Sequence, residues 1–148
     1  MTESKYIWMD GEFVNWHDAK VHVLSHTLHY GNGAIEGTKA YKTVDGRCAI
    51  FKLNEHTQRL LNSSKMTLMN VPFTLEELNK AQIELLQKNE LFDGAYIRPL
   101  VYLGYGVMGL YHKEAPVKVS VSAWEWGAYL GEEGLRKGVR VKISSFTR

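Results

Sequence analysis

At 148 residues, 45% hydrophobic and 23% charged, the chain has the composition of one globular domain with a real core. A formal net charge of +2, with the signs interspersed, carries no polyelectrolyte signal for nucleic acid or for acidic membranes. The single cysteine, Cys48, excludes an internal disulfide, and no apolar stretch is long enough to span a bilayer. Met1 to Lys5 lack the apolar region of a signal peptide, so a cytoplasmic location is expected.

Without internal repeats or a Pro/Gly/Ser linker, the sequence reads as one continuous domain. It opens on a hairpin pattern: Tyr6 to Met9 and Glu12 to Val14 flank Asp10-Gly11, a pair suited to the positive φ angles of a type I′ turn. A second hairpin sets Thr38 to Thr43 against Arg47 to Lys52 around Asp45-Gly46. Cys48 sits in the apolar run Cys48-Ala49-Ile50-Phe51, as a buried structural thiol would. Asn54 is suited to cap a helix from about Glu55 to Lys65, with Leu60 and Leu61 toward the core. Thr74 and Glu77 have capping-box spacing for a second helix ending near Asn89, whose apolar stripe is Leu75, Leu78, Ala81, Leu85 and Leu86. Three strands complete the pattern: Ala95 to Leu103, Val117 to Trp124 and Val139 to Phe146. Tight hairpins force antiparallel pairing, so the expected class is α+β, with helices on one face of a mostly antiparallel sheet.

Several features carry chemistry, each beside a structural alternative. Gly104-Tyr105-Gly106-Val107-Met108-Gly109 matches G-x-G-x-x-G, but Pro116 and a strand follow where a dinucleotide fold needs a helix; a mobile ligand loop fits better. Arg98 interrupts an apolar strand and shares a face with Tyr96, Leu100 and Tyr102 by period two. It reads equally as a fork for a carboxylate or as an arginine on a sheet edge, the second consistent with Pro99. Arg59 lies three residues after His56 on one helical face, and spacing alone favours a solvated arginine. His26 and His29 lack the further His or Cys neighbours that a metal site needs, whereas Tyr30 offers a hydroxyl to a ligand-lining loop. Trp124, Trp126 and Tyr129 form an aromatic cluster that suits a core or subunit interface, or a pocket wall.

The ordered set His22 to Gly31, Glu36-Gly37, Glu55 to Leu60, Ala95 to Leu100 and Trp126 to Gly131 resembles branched-chain amino acid aminotransferases of the class IV pyridoxal-phosphate group. The similarity runs from about Tyr6 to the last residue. The resemblance implies the N-terminal two-layer α/β sandwich of the D-amino acid aminotransferase-like fold over residues 1–148, with pyridoxal 5'-phosphate as cofactor. By position, Arg59 matches the arginine that grips the cofactor phosphate. Tyr30, Arg98 and Tyr129 match the groups that bind the glutamate side-chain carboxylate, with Tyr96 beside the arginine. Gly37, Met108, Leu110 and Trp126 match positions lining an aliphatic pocket. A homodimer or larger is implied, since Tyr30 and the loop bearing Leu110 reach the neighbouring subunit's site in that family.

The implied reaction moves the amino group of leucine, isoleucine or valine to 2-oxoglutarate, in amino-acid biosynthesis or breakdown. Ile35 stands where family members commonly carry phenylalanine, which leaves the preference among the three open. The family's Schiff-base lysine lies beyond Arg148, so no catalytic residue is expected within this chain and the 148 residues alone are expected to be inactive. D-amino acid aminotransferase and aminodeoxychorismate lyase are the alternatives within the fold; a chemically dead dimerisation module is the alternative outside it.

Overall fold

A computed structural model of the chain describes residues 2–127 and 131–145. In chain order its elements are β1 (Tyr6–Met9), β2 (Glu12–Asn15), a short 3-10 turn (Trp16–Asp18), α1 (His26–Tyr30), β3 (Gly33–Ile35), β4 (Thr38–Lys42), β5 (Cys48–Ile50), α2 (Leu53–Met66), α3 (Leu75–Lys88), β6 (Ala95–Leu103), β7 (Val117–Trp124) and α4 (Gly131–Lys137). The strands form one sheet in the order β2-β1-β7-β6-β4-β5, with β3 also paired to β6. Every pairing among the described residues is antiparallel, as the hairpins require. The class is α+β.

Local chemistry accounts for most of these boundaries. Asp10 and Gly11 both take positive φ, 50° and 104°, which matches the twist of a two-residue hairpin. The Asp10 carboxylate also accepts from the Val119 amide at 2.8 Å, fastening this turn to β7. The second hairpin is wider than Asp45-Gly46 alone implied. Gly46 donates to the Thr43 carbonyl and Thr43 to that of Arg47, so five residues connect the strands and only Gly46 takes positive φ.

Thr74 caps α3 as its spacing predicts: its hydroxyl accepts from the Glu77 amide at 3.2 Å while the Glu77 carboxylate accepts from the Thr74 amide at 2.7 Å. Thr74→Ala is expected to lower stability by about 1 kcal/mol, read as a shifted denaturation midpoint at unchanged slope.

Two expectations need correction. Asn54 does not cap α2; the helix starts at Leu53, two residues before the expected Glu55, after Lys52 in a left-handed conformation. The Asn54 side-chain oxygen instead accepts from Asn79 at 2.6 Å, tying α2 to α3. The anticipated strand from Val139 is also absent, because residues 139–145 form no ladder and Phe146 lies outside the described residues. Val141 and Ile143 are almost fully exposed. β-Branched residues favour a strand only where a neighbouring strand receives their backbone groups.

The core lies between the sheet and the long helices. Leu60 of α2 and Leu78 and Leu85 of α3 are at most 1% exposed, as are Ile97, Val101 and Leu103 of β6 and Val119 and Val121 of β7. Gln82, equally buried, donates to the Thr57 hydroxyl at 3.0 Å and the Leu78 carbonyl at 3.2 Å. The odd-numbered side chains of β6 thus supply the core, and period two leaves Tyr96, Arg98, Leu100 and Tyr102 on the opposite face. Leu100 and Tyr102 there meet the segment leading into α1, where a cavity of about 190 Å3 opens among Ile7, Met9, Val21 and Leu28.

β6 is an interior strand, which overturns the sheet-edge reading of Arg98. Pro99 is tolerated for a specific reason. Its carbonyl accepts from the Glu36 amide at 3.0 Å, so its donorless nitrogen faces the same side. There the chain is passing from β3 to β4, and no paired residue on that side demands a donor.

Candidate active site

The break between β3 and β4 is where the polar residues gather. Glu36 and Gly37 occupy it, facing the first half of β6. The Arg98 guanidinium donates to the Tyr96 hydroxyl through Nε at 3.2 Å and Nη2 at 2.8 Å. Accepting twice, that hydroxyl keeps its own proton to donate outward, so a half-buried cation and a polarised phenol point the same way off the sheet. The Tyr96 ring meets Trp126 edge-on at 4.6 Å and lies 5.2 Å from Trp124. Gly37 completes the cluster by having no side chain: a Cβ there would overlap the Tyr96 hydroxyl and come within 2.9 Å of Cζ.

On the other side of Gly37, Glu36 is buried and both its oxygens are occupied. Arg59 of α2 binds it as a fork, Nε to Oε1 and Nη2 to Oε2 at 2.9 Å. His56 Nδ1 meets Oε2 at 2.9 Å and the Gly37 amide donates at 3.2 Å. Burial opposes the Glu36 charge, but the hydrogen bonds from Arg59, His56 and Gly37 outweigh it and bring its pKa from 4.5 down to about 2. A depressed carboxylate contributes its stability above pH 4.5 and loses it as pH falls towards 2. The stability difference between wild type and Glu36→Gln is therefore expected to shrink across that window. It reaches at most about 3 kcal/mol near neutrality, since solvent around the Arg59 partner screens the pair. Denaturant titrations at stepped pH values check this.

A second cluster forms around α1. The Gly109 amide donates to the Tyr30 hydroxyl at 3.0 Å and its carbonyl lies 2.8 Å from His26 Nε2. Both backbone groups of Gly109, at φ 106°, are thereby clasped to α1. Met108 and Leu110 flank the clasp and stand exposed, Leu110 at 87%. His29 Nε2 is likewise engaged by a backbone carbonyl, that of Val23, at 2.9 Å. The glycine-rich stretch runs between β6 and β7 with no helix following it.

The structure thus joins Gly37, Tyr96, Arg98 and Trp126, sets Arg59 beside them through Glu36, and joins Tyr30, Met108 and Leu110 separately. The first group stands on the first half of β6 and the turn between β3 and β4, the second on α1 and the loop that follows β6. Tyr129 lies outside the described residues. Sequence reasoning passed over Glu36, His56 and His26 as site members. The usable signals were an acid between Ile35 and Gly37, and a histidine three residues before Arg59.

Comparison with known proteins gives a consistent picture. The family model for amino-transferase class IV matches residues 33–148. The branched-chain-amino-acid aminotransferase of Pseudomonas aeruginosa is 49% identical over 142 residues, 96% of this chain and 46% of that protein. The crystal structure of the Escherichia coli branched-chain amino acid aminotransferase superposes with a TM-score of 0.92 at 40% identity, covering 99% of this chain and 48% of that one. The branched-chain aminotransferase of the thermophilic archaeon Thermoproteus uzoniensis, solved with norvaline, gives a TM-score of 0.81 at 37% identity, covering 87% and 43%. The chain spans about half the length of these relatives. With the family model matched over most of its length, and with relatives in sequence and fold that agree, the chain belongs to the amino-transferase class IV family.

Proposed function

We propose that the protein carrying this chain transfers the amino group of branched-chain L-amino acids to 2-oxoglutarate, with pyridoxal 5'-phosphate as cofactor. The observation that carries the reading is the Arg98–Tyr96 pair, a cation and a hydroxyl donor aimed together off an aromatic-walled sheet face. Such a fork suits the side-chain carboxylate of glutamate. Arg59, two-thirds exposed at its side chain, suits the cofactor phosphate, and one edge of its fork is already held by Glu36. The residues present therefore fit the cofactor. When bound, pyridoxal phosphate supplies the electron sink for loss of the Cα proton and carries the amino group between substrates.

The chain's own groups bind and orient. Arg59 anchors the phosphate, Arg98 and Tyr96 the distal carboxylate of glutamate, and Trp126 a wall for an aliphatic side chain. Tyr30, Met108 and Leu110 gather around α1 and the loop after β6, in a cluster of their own within this chain. A second copy supplying that clasped loop makes the site whole, which is why we read a homodimer or larger. The Schiff-base lysine belongs to a further domain of the whole protein, residues 1–148 forming the N-terminal one.

The test is glutamate formation by the whole protein from L-leucine, L-isoleucine or L-valine plus 2-oxoglutarate, with pyridoxal phosphate supplied. Turnover with the L-substrates is expected; turnover with D-amino acids alone would overturn the reading. The 148 residues expressed alone are expected to give no turnover in the same assay.

A further inference from the structure

Arg59 raises a problem of geometry. Its side chain is long and 66% exposed, and such an arginine on a helix surface samples many rotamers. A phosphate site needs the guanidinium held in one place. Glu36 is built to hold it. The carboxylate is 5% exposed, and both oxygens grip the Nε/Nη2 edge of Arg59. His56, one helical turn before Arg59, secures Oε2 at 2.9 Å and lies 3.3 Å from Arg59 Nη2. The Glu36 backbone is itself fixed, its amide donating to Pro99 of the interior strand. Nothing in this assembly requires Glu36 to touch cofactor or substrate.

We propose that Glu36 is a positioning residue for phosphate recognition: with His56 as a second anchor, it pins one edge of Arg59 so that the other faces the cofactor phosphate. The proposal rests on the reading of Arg59 as the phosphate ligand and adds the residue that aims it.

A sign argument separates this from a merely structural ion pair. Removing the negative charge beside Arg59 takes away a Coulomb repulsion on a phosphate dianion, which by itself tightens binding. If orientation dominates, the same change weakens binding.

The experiment uses the whole protein freed of cofactor, titrated with pyridoxal phosphate and, separately, with pyridoxal, which lacks the phosphate. Glu36→Gln is expected to weaken affinity for pyridoxal phosphate at least tenfold while leaving affinity for pyridoxal within twofold. The 31P resonance of the bound cofactor is expected to shift and broaden. His56→Ala, which leaves the carboxylate in place, is expected to act in the same direction and more weakly. It carries the test alone if Glu36→Gln does not fold. Unchanged or tighter binding of pyridoxal phosphate in both variants, with Arg59→Gln still weakening it, overturns the role of Glu36 and leaves the reading of Arg59 intact. If Arg59→Gln also leaves it unchanged, both ideas fail together.

Discussion

Arg98→Gln in the whole protein is expected to lower kcat/KM for L-glutamate and 2-oxoglutarate by roughly ten- to a hundredfold, and for the branched-chain substrates by far less. The asymmetry comes from what the guanidinium does. In the proposed reaction it would supply a charge-assisted contact to a distal carboxylate, worth about 1.5–3 kcal/mol, which an aliphatic side chain never makes. It also donates twice to the Tyr96 hydroxyl, so losing it weakens that phenol as a donor. The measurement is paired single-turnover kinetics of the two half-reactions. An equal fall for leucine and glutamate would mean that Arg98 supports the fold of the site and does not read the carboxylate.

Gly37→Ala is expected to impair both half-reactions, because it acts on the frame that both share. The new methyl group would occupy the position of the Tyr96 hydroxyl, so the ring has to move away from Arg98 or the chain between β3 and β4 has to bulge. Overpacking of this kind costs about 1–3 kcal/mol. Since Tyr96 also packs on Trp124 and Trp126, the displacement reaches the aromatic wall. A fall in kcat/KM of roughly tenfold or more with leucine and glutamate alike is expected, together with a lower Tm. Gly37→Ala paired with Tyr96→Phe, which removes the overlapping oxygen, is expected to recover part of the lost stability. No recovery would place the strain elsewhere.

What the sequence made legible, and what it hid, follows the range of the forces concerned. The first hairpin, the Thr74–Glu77 box and the strands Ala95–Leu103 and Val117–Trp124 are encoded within a few residues, and the structure has them. The Arg98–Tyr96 pair was visible for the same reason, since period two puts both on one face. Asn54 misled because a good capping residue is also a good interhelical hydrogen-bonder, and Asn79 claims it. Val139 onward misled because alternating β-branched residues state a preference, not a partner. Neither the Glu36–Arg59 fork, 23 residues apart in sequence, nor the clasp of Gly109 by His26 and Tyr30, about 80 apart, leaves a local trace. The family resemblance supplied Arg59 as a phosphate ligand but not the acid that holds it.

The double duty of β6 sets how this sequence can drift. One side of the strand fills the core with Ile97, Val101 and Leu103 while the other displays Tyr96 and Arg98. Inserting or deleting one residue between Ala95 and Pro99 would turn Arg98 toward α2 and α3, or else Ile97 and Ala95 toward solvent. Relatives of this chain should therefore differ in β6 by substitution and never by length, whereas the turn at residues 43–47 is free to grow or shrink. A library of single-residue insertions scored for growth on a branched-chain auxotroph would draw that boundary residue by residue.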